Sequence, residues 1–333
     1  MKILVTGGGG FLGSAISRQL LARGDQVVAL QRRAAGELAQ LGAETIRGDI
    51  CDLPLLLASA KGCDAIIHTA GKAGVWGKYA DYHRINVLGT EQVLQTCRKL
   101  AIPNLVHTSS PSITHCGKDI EGEDESGPIA TKFLSPYPAT KAAAEQLVLA
   151  ANSGQLRTTA LRPHLIWGPG DPHILPHLAA SVRKGKLALP GADKVIDTVF
   201  VENAARAHVL ALDELRGRGR CAGRPYYISN DQPMRQDEII PLLLDAIGIQ
   251  AEIRPISPGL ARAAGAVCET IWKLLHIQSE PPVTRFTADQ LSTSHWYNIS
   301  AAKRDLGYQA EISIAVGMER LRKWHFQSSD ERR

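Results

Sequence analysis

The chain has 333 residues, of which 44% are hydrophobic and 21% charged, with a net charge of +5. That length and balance suit a large globular body, in one or two domains, and exclude a disordered chain. A charge this small permits an anionic ligand but leaves no electrostatic footprint for nucleic acid. The basic run Arg216, Arg218, Arg220 and Arg224 is mixed with glycine and reads as a solvated loop. Six cysteines at 51, 63, 97, 116, 221 and 268 include no CxxC pair and no metal motif, which fits a reduced, cytoplasmic compartment. The apolar run "ILV" at the N-terminus is too short for a signal peptide, and no stretch has the 18 apolar residues of a spanning helix.

In chain order, "KILVTG" is a β-branched strand, and an amphipathic helix from Phe11 to Arg23 follows, ended by Gly24. "QVVAL", "ETIRGDI", "DAIIHTA", "NLVHTSS" and "RTTALRPHLIWG" continue as strands, with clear helices at 81–99 and 138–151 between them. Strands alternating with helices predict an α/β fold, a doubly wound parallel sheet, and the near-continuous apolar strands agree because both faces are buried. After Gly168 the rhythm changes at "GPGDPHILP"; a strand "DTVFV", a helix "ENAARAHVLALDEL" and a smaller lobe follow. The expected division is a dinucleotide-binding Rossmann domain at 1–167 with a returning segment at about 192–228. Residues 168–191 and 229–326 form a substrate-binding lobe, and 327–333 a frayed polar tail.

"VTGGGGFLG" joins the first strand to the first helix, with Gly7, Gly10 and Gly13 in GxxGxxG spacing. Glycines let the backbone turn tightly against a pyrophosphate, and the helix start at Phe11 and Leu12 offers free N–H groups to it. The second strand ends "VVALQRR": where an acidic residue would hold a ribose 2′-hydroxyl, Arg32 and Arg33 stand, which suits the 2′-phosphate of NADP(H). Asp49 and Ile50 at the end of the third strand are placed near an adenine, and Ala70 after the fourth near the cofactor's middle.

"SPYPATKAAAEQ" sets Tyr137 and Lys141 four residues apart, one helical turn on one face. A phenol has a pKa of about 10 and is a poor acid/base near neutrality; a neighbouring ammonium would lower that pKa. A hydroxyl for the substrate oxygen stands at the end of the fifth strand, with Ser110 preferred over Ser109 and Ser112. Trp76 and Tyr82 are candidates to wall the substrate space, and Lys72 and His164 to meet a carboxylate. His173 and His177 are four apart, but Pro176 argues against a regular helix there, and no metal site is expected. The greasy segment 260–277 has three readings that stay open: a core helix, a lid, or a helix resting on a membrane face.

With the phosphate loop, Ser110, Tyr137, Lys141 and "INVLGT" (Asn86) in this order, the chain resembles the extended short-chain dehydrogenase/reductases. "LRPHLIWGPGD", "DTVFVENAARAH" and "PPVTRFTADQLSTSHWYNISAAKRDLGY" resemble the 3β-hydroxysteroid dehydrogenase group. "GKAGVWGKYADYH", "SSPSITH" and "EQLVLAAN" are similar to the ketoreductases of bacterial long-chain olefin biosynthesis. One departure is the run "ITHCG", where extended members often have "VYG". The resemblance implies that Tyr137 exchanges the proton, Lys141 lowers its pKa and holds the nicotinamide ribose, Ser110 binds the carbonyl oxygen and Asn86 supports Lys141. Lys72 and Pro163 join the cofactor-binding set. It further implies NADPH-dependent reduction of a hydrophobic 3-oxo acid carrying long alkyl chains. The alternatives are a 3β-hydroxysteroid or sterol-4-carboxylate dehydrogenase, or a catalytically silent NADP-binding regulator. The implied partners are a second copy, other olefin-biosynthesis enzymes and the inner membrane, touched from the cytoplasm.

Overall fold

The computed structural model describes residues 1–33 and 36–330, with side chains described to residue 327. Seven strands, β1 (Lys2–Thr6), β2 (Gln26–Gln31), β3 (Glu44–Arg47), β4 (Ala65–His68), β5 (Asn104–Thr108), β6 (Arg157–Pro163) and β7 (Pro225–Ile228), build one sheet. They lie in the order β7-β6-β5-β4-β1-β2-β3, and every pairing is parallel. Strand order reverses between β1 and β4, so the crevice beyond their carboxyl ends is where an open α/β sheet takes a ligand.

Among the helices are α1 (Phe11–Ala22), α2 (Gly89–Lys99), α3 (Pro136–Ala150), α4 (Ile174–Ser181), α5 (Val201–Arg216), α6 (Gln236–Ala246), α7 (Pro258–Leu274), α8 (Arg285–Leu291) and α9 (Ile314–Asp330). Period-two alternation divides β1 between two cores. Ile3 and Val5 join Ile16 of α1 and Leu212 of α5 on one face, while Leu4 joins Val93 of α2 and Val148 of α3 on the other. This is the physical reason the strands read as unbroken apolar runs. A third core belongs to the smaller lobe, where Trp167, Phe200, Leu175 of α4, Leu243 of α6 and Leu321 of α9 meet.

Four expectations change here. Pro176 does not prevent a helix: α4 begins at Ile174, so the proline falls in a first turn where its missing N–H costs nothing. "DTVFV" supplies only the two-residue strand Val199–Phe200 before α5 begins. The polar tail from 327 begins as a continuation of α9, which runs to Asp330; residues 331–333 lie outside the described residues. The segment 260–277 is not a core helix, since in α7 only Ala261, Gly265 and Glu269 are buried.

Candidate functional site

The phosphate loop closes on itself. Gly7 has φ +73°, a left-handed backbone, and a Cβ on Gly13 would stand 2.1 Å from the Gly7 carbonyl oxygen. Any side chain at Gly13 would force the first turn of α1 off the loop. Gly10 is the N-cap of α1 and has no capping side chain, so the side chains leave the N–H groups at Phe11, Leu12 and Gly13 to a ligand. The cradle fits a pyrophosphate. Arg32 and Arg33 follow β2, exposed and without an acidic partner among the described residues. Ala70 lies against Gly7, whose added Cβ would sit 2.9 Å from the Ala70 nitrogen. Pro163 is buried at the end of β6. Asp49 and Ile50 lie beyond β3 rather than in it: Asp49 pairs with Arg84 at 3.0 Å, and Ile50 packs under Gly89.

Tyr137, Lys141 and Ser110 come together at the carboxyl edge of β5. Ser135 caps α3 and its hydroxyl donates to the Val75 carbonyl at 2.8 Å, which fixes the first turn that carries Tyr137. Ser110 makes a hydroxyl contact with Tyr137 and a second, at 2.9 Å, with Ser112; Ser109 is buried. Lys141 donates to the Thr108 carbonyl rather than to the phenol. The expected lowering of the Tyr137 pKa by Lys141 is therefore absent in this arrangement. Burial pushes the phenol up, and Ser110 pulls it part of the way back. Burial also lowers Lys141 to about 8, against a partly restoring field from Glu145.

Asn86 lies in the π-helical segment His83–Leu88, a distortion frequent at functional sites. Its side chain accepts from the Lys72 N–H at 2.7 Å and donates to the Lys72 carbonyl at 3.1 Å and to Thr140 Oγ1 at 3.0 Å. Thr140 in turn donates to the Pro136 carbonyl at 2.9 Å. Asn86 thus joins the loop after β4 to the helical turn beneath Tyr137. A buried pair stands behind these residues. Arg162 of β6 binds Glu145 through two bonds of 3.0 and 2.6 Å, and Glu145 is one turn beyond Lys141 on the same face of α3. The 137, 141, 145 spacing signalled Glu145; nothing local signalled Arg162.

The expected substrate residues divide. Lys72 Nζ stands 5.0 Å over the Tyr82 ring. Tyr82 is 1% exposed, and its hydroxyl donates to the Trp76 carbonyl at 2.9 Å, so it clamps the 71–78 loop rather than facing substrate. Trp76 reaches the far lobe, its Nε1–H donating to the Ile277 carbonyl at 3.5 Å. His164 is removed from the substrate set. His295 Nε2–H must donate to the Gln290 carbonyl at 2.9 Å, and burial keeps His295 neutral by lowering it to about 3. Its Nδ1 then accepts from His164 Nε2–H at 3.0 Å, and His164 Nδ1 meets Asp197 at 2.5 Å. Neither His164 nitrogen is left for a carboxylate. His177 stands 3.6 Å from Glu280, and among the described residues no group of three metal-ligating side chains forms.

Residues 4–256 match the 3-beta hydroxysteroid dehydrogenase/isomerase family. The chain belongs to that family. It is 48% identical over 326 residues to 2-alkyl-3-oxoalkanoate reductase of Stenotrophomonas maltophilia, covering 97% of this chain and 98% of that protein. It is 45% identical over 327 residues to the protein of the same name from Shewanella oneidensis, covering 96% and 84%. A dTDP-glucose 4,6-dehydratase double mutant from Streptomyces venezuelae, solved with NAD bound, shares the fold at a TM-score of 0.75 and 25% identity, over 99% of this chain and 98% of that one. As a member of the 3-beta hydroxysteroid dehydrogenase/isomerase family, the protein is an oxidoreductase acting on a keto or hydroxyl group, and the family uses a nicotinamide cofactor.

Proposed function

We propose that the protein is an NADPH-dependent ketoreductase that converts a 2-alkyl-3-oxoalkanoic acid to the 2-alkyl-3-hydroxyalkanoic acid. The observation that carries the catalytic part is the meeting of Ser110 and Tyr137 beside a buried Lys141 at the sheet edge, next to the glycine cradle. The substrate class follows the two named reductases at 48% and 45% identity.

Bound nicotinamide would supply the hydride to the carbonyl carbon. Ser110 donates to the carbonyl oxygen and fixes its position against Tyr137. As charge develops on that oxygen, Tyr137 transfers its hydroxyl proton there, giving the alcohol. Burial, which keeps the phenol protonated, suits this reductive direction: the alkoxide is far more basic than the phenol, so transfer is downhill. Lys141, cationic below about pH 8, donates to the Thr108 carbonyl beside Tyr137 and would hold the nicotinamide ribose. Arg32 and Arg33 would hold the 2′-phosphate of NADPH.

The test is NADPH oxidation assayed against a 2-alkyl-3-oxo acid, a 3-oxosteroid and a UDP-sugar. The keto acid is expected to turn over with the highest kcat/KM. Preference for the steroid would overturn the substrate class. Tyr137→Phe is expected to lower kcat by about 10²- to 10⁴-fold while NADPH still binds; undiminished turnover would remove Tyr137 from the mechanism.

A further inference from the structure

The loop after β4 is gripped from both sides at residues 75 and 76. Gly74 and Gly77, with φ +93° and +133°, bracket them in left-handed backbone. Glycines there give the turn little conformational preference of its own, so its outside contacts decide where it rests. Three of these come from the smaller lobe. The Trp76 indole N–H donates to the Ile277 carbonyl at 3.5 Å, Lys273 Nζ stands 5.9 Å from the centre of the Trp76 ring, and the Val75 N–H donates to Glu280 Oε1 at 3.2 Å. Two come from the sheet side. The Ser135 hydroxyl donates to the Val75 carbonyl at 2.8 Å, and the Tyr82 hydroxyl to the Trp76 carbonyl at 2.9 Å.

Some of these bonds form one chain that starts on a reactive residue. The Tyr137 N–H donates to Ser135 Oγ at 3.4 Å, the Ser135 hydroxyl to the Val75 carbonyl, and the Val75 N–H to Glu280. Every donor points toward the carboxylate, and an ionised acceptor makes the firmest end for such a chain. Glu280 has no lysine or arginine partner among the described residues. Its other oxygen lies 3.6 Å from His177 Nε2 of α4, and a Cβ on Gly74 would stand 3.7 Å from that oxygen and 3.4 Å from the Tyr82 hydroxyl. Pro281 and Pro282 follow it, and the residue before a proline is restricted to an extended backbone. The carboxylate is therefore held against the loop from its own side as well.

We infer that Glu280 is a positioning residue of the reductase: through Val75 and Ser135 it sets the first turn of α3, and with it the place of the Tyr137 phenol. The smaller lobe thereby governs the geometry of proton transfer without touching the reacting atoms. An ordinary contact between lobes would add stability and leave the rate alone. This one bears on the turn that carries the proton donor, where a displacement of about 1 Å can cost about a hundredfold in rate. The inference rests on the reading of Tyr137 as that donor.

Steady-state NADPH oxidation with a 2-alkyl-3-oxo acid tests it on the full chain, beside NADPH titration and urea unfolding of each variant. Glu280→Ala is expected to lower kcat by about 10- to 100-fold, with the Kd for NADPH and the urea midpoint close to those of the parent. Glu280→Gln keeps an oxygen that can accept the Val75 N–H, so it should restore most of kcat. Ser135→Ala should also lower kcat, and adding Glu280→Ala to it should lower kcat no further, because both changes break one chain. An undiminished kcat in Glu280→Ala, a loss that Glu280→Gln shares in full, losses that multiply in the double variant, or a urea midpoint that falls while kcat holds would each overturn the inference. Tyr137→Phe in the same assay tells the two readings apart. Undiminished turnover there removes Tyr137 and the relay together, whereas a collapse there with no loss in Glu280→Ala removes the relay alone.

Discussion

Lys141 is a cation that burial makes easy to lose. Its pKa of about 8 means the ammonium is present below that pH and lost above it. The kcat/KM profile should therefore have a basic limb near pH 8. Glu145→Gln removes the carboxylate that raises Lys141, so the limb should move to lower pH. The same change leaves Arg162 buried without its partner and should cost about 3–5 kcal/mol in urea unfolding. An unmoved limb would separate Glu145 from Lys141. Arg32→Ala should raise the Kd for NADPH far more than that for NADH; equal losses would remove its 2′-phosphate role. That Tyr137, Lys141 and Ser110 would lie together was legible from the four-residue spacing on one helix and the place of Ser110 at a strand end. The partner of the Lys141 ammonium was not: a backbone carbonyl such as Thr108 leaves no trace in the residue types.

At the scale of elements, strands and helices followed from periodicity, and the misreadings came where caps outweighed composition. Asp171 in the Gly/Pro-rich break accepts from the N–H groups of His173, Ile174 and Leu175, at 2.8, 3.2 and 2.9 Å. It holds the start of α4 in place of an N-cap side chain, with Pro176 harmlessly inside the first turn. Asp171→Ala should destabilise the protein by about 0.5–2 kcal/mol, measured as a lower urea midpoint; no change would mean that α4 needs no cap. The outward apolar stripe of α7, Leu260, Val267, Ile271 and Leu274, was illegible for a related reason. Such a stripe predicts burial, but a helix docks by whichever face fits, and Gly265 with Glu269 fit.

For the molecule as a whole, the decisive charges are those kept off. Burial lowers His68 and His295 to about 3 and His115 and His208 to about 4, and places His107 well below its ordinary value. Above pH 6.5 neither the folded nor the unfolded chain protonates them. Below it the unfolded chain binds protons that the folded chain refuses, so stability falls with pH until the folded values are reached. Each such imidazole contributes about 1.4 kcal/mol per pH unit in that window. Five acting together predict a urea midpoint level from pH 7 to 8 and collapsing between about pH 6.5 and 4. A midpoint flat to pH 5 would show that these rings protonate in place.

The sequence by itself determined the parallel sheet, the glycine cradle and the identity of the side chains that meet at the sheet edge, because each depends on local steric or chemical demands that only certain residues meet. Tertiary structure decided what those side chains touch. It turned Lys141 toward Thr108, locked His164 between Asp197 and His295, used Tyr82 as a clamp and left the apolar stripe of α7 facing outward. Those outcomes depend on which surfaces pack across long separations in the chain, and no periodicity or spacing carries that information.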